Sequence, residues 1–153
     1  MAASIAPIAA FAALILVAGS LGGGVYEIGL IDRVWPSNPA LVQPGRGGID
    51  RKRFWIPMHL AFEALLVLAL WSAWPQPDAR RWLLTALAAH VAMRAWSFAY
   101  FIPRALVLEK AGDFDADQQA SAKAWVRASG WRLPLDLAAA VSLCLAIAAL
   151  LGA

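Results

Sequence analysis

Apolar residues gather in four runs along the chain, approximately 5–27, 55–74, 82–102 and 133–151, separated by stretches rich in charge, proline or glycine. A helix needs about 20 residues to cross the roughly 30 Å hydrocarbon core of a bilayer, where it satisfies its own backbone hydrogen bonds. The pattern predicts an all-α chain, a four-transmembrane-helix bundle in antiparallel up-down order that forms one integral membrane domain over residues 1–153. Pro75 and Pro77 close the second run and Pro103 the third, while Pro57 and Pro134 fall in the first turns of their helices, where a missing N–H is tolerated. Residues 115–129, alanine-rich with Lys123, Trp125 and Arg127 and followed by Gly130, predict a short cytoplasmic or interfacial helix between spans three and four. Residues 37–48, rich in Pro, Gly and Asn, predict an irregular connection.

Within this pattern the polar exceptions carry the chemistry. His59 is followed four residues later by Glu63, and His90 four residues later by Arg94. A spacing of four returns nearly to the same helix face, and charges inside membrane spans usually face a bundle interior or a water-filled cavity. The short loop between spans two and three makes them antiparallel neighbours. Counted from Trp74 and Trp82, Glu63 and Arg94 lie about 17–18 Å from the outer edge, so the two meet just past the midplane. On the same count His59 lies about a turn nearer the cytoplasm, level with Ser97, and His90 about a turn farther out. Span one offers Ser20, Gly23, Gly24 and Glu27, with Gly19 and Gly23 in a spacing that allows close helix approach. Span four offers Asp136, Ala139 and Ala140. A bundle that draws Glu27, Tyr26 and Asp136 towards His59 forms a cytoplasm-facing polar cavity above an apolar floor of Leu66, Leu70 and Val91.

Composition narrows the class. With 153 residues, 61% of them hydrophobic, and a mean hydropathy of +0.63, an ordinary soluble domain is excluded. The first run lacks a basic n-region and is longer than a signal-peptide core, so it reads as a retained span. Cys144, the one cysteine, has no partner for a disulfide or a thiol metal pair. Basic residues concentrate in the first and third loops (Arg33, Arg46, Arg51, Lys52, Arg53; Arg104, Lys110, Lys123, Arg127, Arg132). The positive-inside rule therefore puts those loops in the cytoplasm and both termini outside a bacterial-type inner (plasma) membrane. A net charge of +3 without a basic motif speaks against nucleic acid and for contact with membrane lipids. Trp71, Trp74 and Trp82 read as the outer aromatic belt, and Trp35, Trp55, Trp125 and Trp131 as the inner one.

Arg94 beside a carboxylate and an imidazole suits the binding of a lipophilic, acidic small molecule and stabilisation of the anion left when its proton departs. His59 or Glu63 is then the base, and Ser97, Tyr100, His90, Glu27, Tyr26 and Asp136 are candidate substrate contacts. Each residue also has a structural reading. Glu63 and Arg94 neutralise each other as a buried pair, His59 and Ser97 act as interhelical hydrogen bonds, and Glu27, Tyr26, Tyr100 and Asp136 are hydrated near the interface. A haem between His59 and His90 is disfavoured by a height difference of about 10 Å. A single metal on His59, Glu63 and Glu27 is the minor alternative, and no organic cofactor is expected, because dinucleotide, P-loop, nucleophile-elbow and CxxC motifs are missing.

Several short motifs, taken in order, carry a likeness. They are Tyr26-Glu27 closing span one, Phe54-Trp55 with Pro57 and His59 opening span two, Arg94, Ser97 and Tyr100-Phe101-Ile102-Pro103 closing span three, and Trp125 then Arg132 before span four. In these the chain resembles the anthrone-oxygenase-like family of small four-helix membrane proteins. The resemblance implies oxidation of a phenolic or polycyclic substrate by O₂ without an organic cofactor. Against this oxidoreductase stands a non-catalytic reading, an accessory subunit or a pigment- or lipid-binding protein of a larger membrane complex. The partner classes are then lipid, a lipophilic small molecule, and a homo-oligomeric or membrane-complex partner.

Overall fold

Small residues recur along the inward faces of these helices, as expected where lipid rather than water surrounds the bundle. A computed structural model describes residues 2–152. It contains α1 (Ala2–Tyr26), α2 (Lys52–Ser72), α3 (Pro77–Trp96), α4 (Ile102–Lys110), α5 (Ala116–Ser129) and α6 (Leu133–Leu151), with no strand among the described residues. Four continuous helical stretches, Ile5–Ile31, Lys52–Ser72, Pro77–Lys110 and Ala116–Leu151, are each long and apolar enough to cross a membrane. Alanines fill the centre, among them Ala6, Ala10, Ala13, Ala69, Ala86, Ala139 and Ala146, while Ile8, Phe11, Ile15, Leu60, Val67 and Val141 face outward. Such an interior lets backbones approach closely: a Cβ on Gly23 would come within 3.0 Å of the Phe54 ring, and one on Gly19 within 3.4 Å of Met58.

The up-down order is as expected and α2 and α3 are neighbours, but not close ones. α1 packs along α2 and α6, and α6 along α3, whereas of these neighbouring pairs α2 and α3 pack least closely although a four-residue connection, 73–76, joins them. The bundle therefore has a closed side at α1 and α6 and an open seam between α2 and α3. We call the end with that connection the hairpin end and the opposite one the loop end.

Several boundaries differ from the sequence reading. α3 starts at Pro77, which opens the helix, five residues before Trp82. Pro103 does not stop the third span; the helix widens into a π turn at Ser97–Phe101 and resumes with Pro103 in the first turn of α4. Pro57 lies inside α2, which begins earlier, at Lys52. Gly130 caps the end of α5 as expected, but a 3₁₀ turn, Gly130–Arg132, carries the chain straight on into α6. The first loop is not irregular but built of 3₁₀ turns at Pro39–Val42 and Pro44–Arg46. It is tied down where the buried Gln43 amide donates to the carbonyls of Leu108 (3.0 Å) and Gly112 (2.8 Å).

Trp35, Val42, Phe101, Leu108, Ala122 and Trp125 form a second apolar core at the loop end. Trp35 and Trp125 are thus only 1% and 4% exposed and do not belong to an interfacial belt. Trp71 and Trp131, at 76% and 70% exposed, face outward.

Candidate functional site

Along α2, Arg51, Trp55, His59 and Glu63 recur every four residues, a stripe that winds slowly round the helix. It faces Met93, Arg94, Ser97 and Phe101 across the open seam. Glu27 from the π turn after α1, Trp125 and Ser129 from α5, and Arg132 and Asp136 around the start of α6 complete the walls of a cavity of about 230 Å³ at the loop end. Two π turns, Glu27–Ile31 and Ser97–Phe101, border it, in keeping with the placement of such widened turns at functional sites. Gly24 lines the cavity as well, and its missing side chain makes room for Leu133.

Glu63 and Arg94 do meet: Arg94 Nε lies 3.0 Å from Glu63 Oε1. The same oxygen accepts a 3.1 Å hydrogen bond from His90 Nε2. The heights were misjudged, because the count began at Trp82 rather than Pro77. His59 lies thirteen residues before Ser72, where α2 ends, and His90 thirteen residues after Pro77, where α3 begins. The two imidazoles are therefore level, with ring centroids 5.7 Å apart, and the height argument against a shared haem does not hold. His90 is instead committed to Glu63 and packed on Phe62 at 4.7 Å.

Glu63 and Arg94 are the pair at unequal heights. They still touch because each side chain leans towards the N-terminus of its own helix, and in antiparallel helices those directions converge. The Arg94 N–H does not point at the carboxylate, so the contact is an ion pair, and its buried Nε lacks a hydrogen-bond acceptor.

The predicted residues divide into three groups. Glu27, His59, Arg94, Ser97 and Asp136 line the cavity; Ser97 Oγ donates to the Met93 carbonyl at 2.9 Å, and Glu27 accepts from Trp55 Nε1 at 3.0 Å. Glu63 and His90 do not line it: Glu63 holds Arg94 from outside, and His90 holds Glu63. Tyr26 is exposed and borders a second, adjacent hollow, and Tyr100 lies under the Arg104 guanidinium at 3.8 Å, so neither contacts the cavity.

The expected floor is also different. Leu66 and Leu70 belong to the alanine core and Val91 is 54% exposed, because it sits about 100° from the inward face marked by Ala86, His90 and Met93. Apolar walls come from Ile56, Met93, Ile102 and Leu133. Among the described residues no three His, Cys, Asp or Glu converge as a metal site. Glu27 is held by Trp55, away from Glu63.

Arg51, Arg132, Trp125 and Ser129 line the cavity although none is among the expected ligand contacts. Arg51 and Arg132 looked like topology signals, yet both lie over the Trp125 indole, at 5.0 and 5.5 Å. The four-residue spacings Arg51–Trp55–His59 and Arg132–Asp136 were the available signal. Nearby, Asp32 is buried with Oδ1 accepting from Trp35 Nε1 at 2.8 Å and Oδ2 unpartnered. Burial pushes its carboxyl above the usual carboxylate range, partly offset by that N–H. The chain matches no family model, no curated protein and no solved structure.

Proposed function

We propose that this membrane-embedded bundle binds a lipophilic acid or phenol in the loop-end cavity and stabilises its anion. The observation that carries this reading is Arg94: a guanidinium held from behind by its ion pair with Glu63, 3.0 Å from its Nε but without an aligned hydrogen bond, on a cavity whose other walls are mostly apolar. His59 lines the same cavity, stacked on Trp55 at 5.5 Å. It is the residue placed to take the ligand's proton, while Arg94 supplies fixed positive charge for the oxyanion. Glu63, behind the wall, positions Arg94 and is not the base.

The resemblance to the anthrone-oxygenase-like family adds an oxidation, in which an activated methylene and O₂ give a carbonyl and water. A cavity of about 230 Å³ falls below the roughly 300–1,000 Å³ usual for ligand pockets, which favours a compact ligand over an extended polycycle. Charge in the first and third loops supports a cytoplasmic loop end, with the hairpin and both termini outside an inner-type membrane. The non-catalytic alternative, a pigment- or lipid-binding subunit, is favoured by the withdrawal of Glu63 from the cavity.

The test uses 2-naphthol, whose absorption shifts to longer wavelength when its hydroxyl ionises. Titrated with pH against purified protein in detergent, bound naphthol is expected to ionise at least about one pH unit lower than naphthol in detergent alone, since one unit corresponds to about 1.4 kcal/mol of anion stabilisation. Arg94→Gln removes the shift. Equal titration curves for the two proteins would end this reading. Oxygen uptake with an anthrone separates the enzyme from the binding protein.

A further inference from the structure

A second anion position is built into the same cavity, at the end away from Glu63. Arg51 and Arg132 both line it, and each keeps one buried N–H without an acceptor, Arg51 Nη1 and Arg132 Nε. Neither forms an ion pair within 4.0 Å among the described residues. The acids closest in charge are already engaged or set apart: Glu27 accepts from Trp55 and Asp32 from Trp35, leaving Asp136 on the cavity wall.

Aromatic faces fix both guanidinium planes. Arg51 lies over Trp35 and Trp125 at 5.6 and 5.0 Å, and Arg132 over Phe101 at 4.3 Å as well as Trp125. Arg132 Nη2 is further held by Ser129 Oγ at 2.7 Å. Glu27, Asp136 and Asp32 act on Arg132 by charge, yet none lies within 4.0 Å of either guanidinium, and each guanidinium keeps a buried N–H without an acceptor. Such an N–H is unfavourable, so two of them, clamped in orientation on one cavity, are preorganised for an acceptor that arrives with a ligand.

Resting on the reading of Arg94 as the first anion position, we infer that Arg51 and Arg132 take a carboxylate, so that the ligand is a compact lipophilic acid with its ionising hydroxyl or enol at Arg94 and its carboxylate at the loop end. Arg51 stands eight residues before His59 at the start of α2, about 12 Å along the axis, which sets the two positions at opposite ends of the ligand. The planar fork of arginine matches the planar carboxylate. The small volume admits a one- or two-ring acid more readily than a two-chain phospholipid.

The experiment compares binding of 2-naphthoate with 2-naphthalenemethanol, which lacks the charge, by tryptophan fluorescence of the whole chain in detergent. The wild type is expected to prefer the carboxylate by about tenfold or more, the scale of a charge-assisted hydrogen bond. Arg132→Gln and Arg51→Gln remove most of that preference, Arg132→Lys keeps part of it, and Arg53→Gln, on an exposed arginine outside the cavity, leaves it within about twofold of wild type. Equal affinity in the wild type, which needs no variant to fold, overturns the inference. So does a preference unchanged in both glutamine variants, or a copurifying phospholipid that 2-naphthoate fails to displace. A carboxylate preference without any shift of 2-naphthol ionisation supports the Arg51–Arg132 position and removes the earlier reading of Arg94. The opposite pair of results removes only the carboxylate position.

Discussion

Gly24 faces Leu133 so closely that an added Cβ would come within 2.7 Å of its Cδ2. The obstacle is the tip of a flexible side chain, so Gly24→Ala displaces Leu133 into the cavity both residues line. Alanine also gains about 0.5–1 kcal/mol over glycine inside a helix, which offsets the crowding. Thermal unfolding is therefore expected to move little, while 2-naphthol binding weakens roughly fivefold, about 1 kcal/mol. Leu133→Ala in the same chain restores it; a loss of stability in place of affinity would refute the argument. At this scale the sequence showed part of the site. His59, Glu63 and Arg94 stood out because charge in an apolar run is costly, whereas Arg51 and Arg132 were hidden among loop charges whose ordinary role is topological. What distinguishes them is burial against Trp125, a contact between segments distant along the chain.

Elements explain why the third span was read too short. Pro103 reads as a stop because it cannot donate a hydrogen bond, but a π turn immediately before it absorbs the irregularity and α4 continues. No pattern of apolar residues encodes a π turn, so this extension was out of reach, whereas the level placement of His59 and His90 follows from the start of α3 at Pro77. The first loop gives a sharper case. Gln43, 1% exposed, ties the loop to the carbonyls of Leu108 and Gly112, and nothing in its neighbourhood of Pro and Gly signals a buried amide. Gln43→Ala removes the amide donor from the Gly112 carbonyl and leaves the Leu108 carbonyl only the longer bond from Ala111 N, and is expected to cost about 1–3 kcal/mol, measured as a lower thermal midpoint. An unchanged midpoint would show that the loop is held elsewhere, for instance by the Arg46–Asp113 pair at 2.7 Å.

For the molecule as a whole, hydropathy alone gave the number of membrane-crossing stretches, their up-down order and the short fifth helix. Their arrangement was less accessible, because connection length suggests neighbours but does not set how closely they pack. Alanine-rich faces on α1, α3 and α6 draw those helices together, and bulkier polar residues on α2 and α3 hold their seam apart, which is where the cavity opens. The connection at 73–76 thus adds a tether but little packing. A gene divided there, yielding 1–74 and 75–153 as separate products, should still assemble in the bilayer, because α1 packs on α2 in one half, α6 on α3 in the other, and α1 on α6 between them. Copurification of the two halves with 2-naphthol binding intact is the expected result, and fragments that fail to associate would mean the tether is a structural strut. A divisible scaffold of this kind places half of the cavity on each polypeptide, so that its occupancy can be controlled by supplying one half at will.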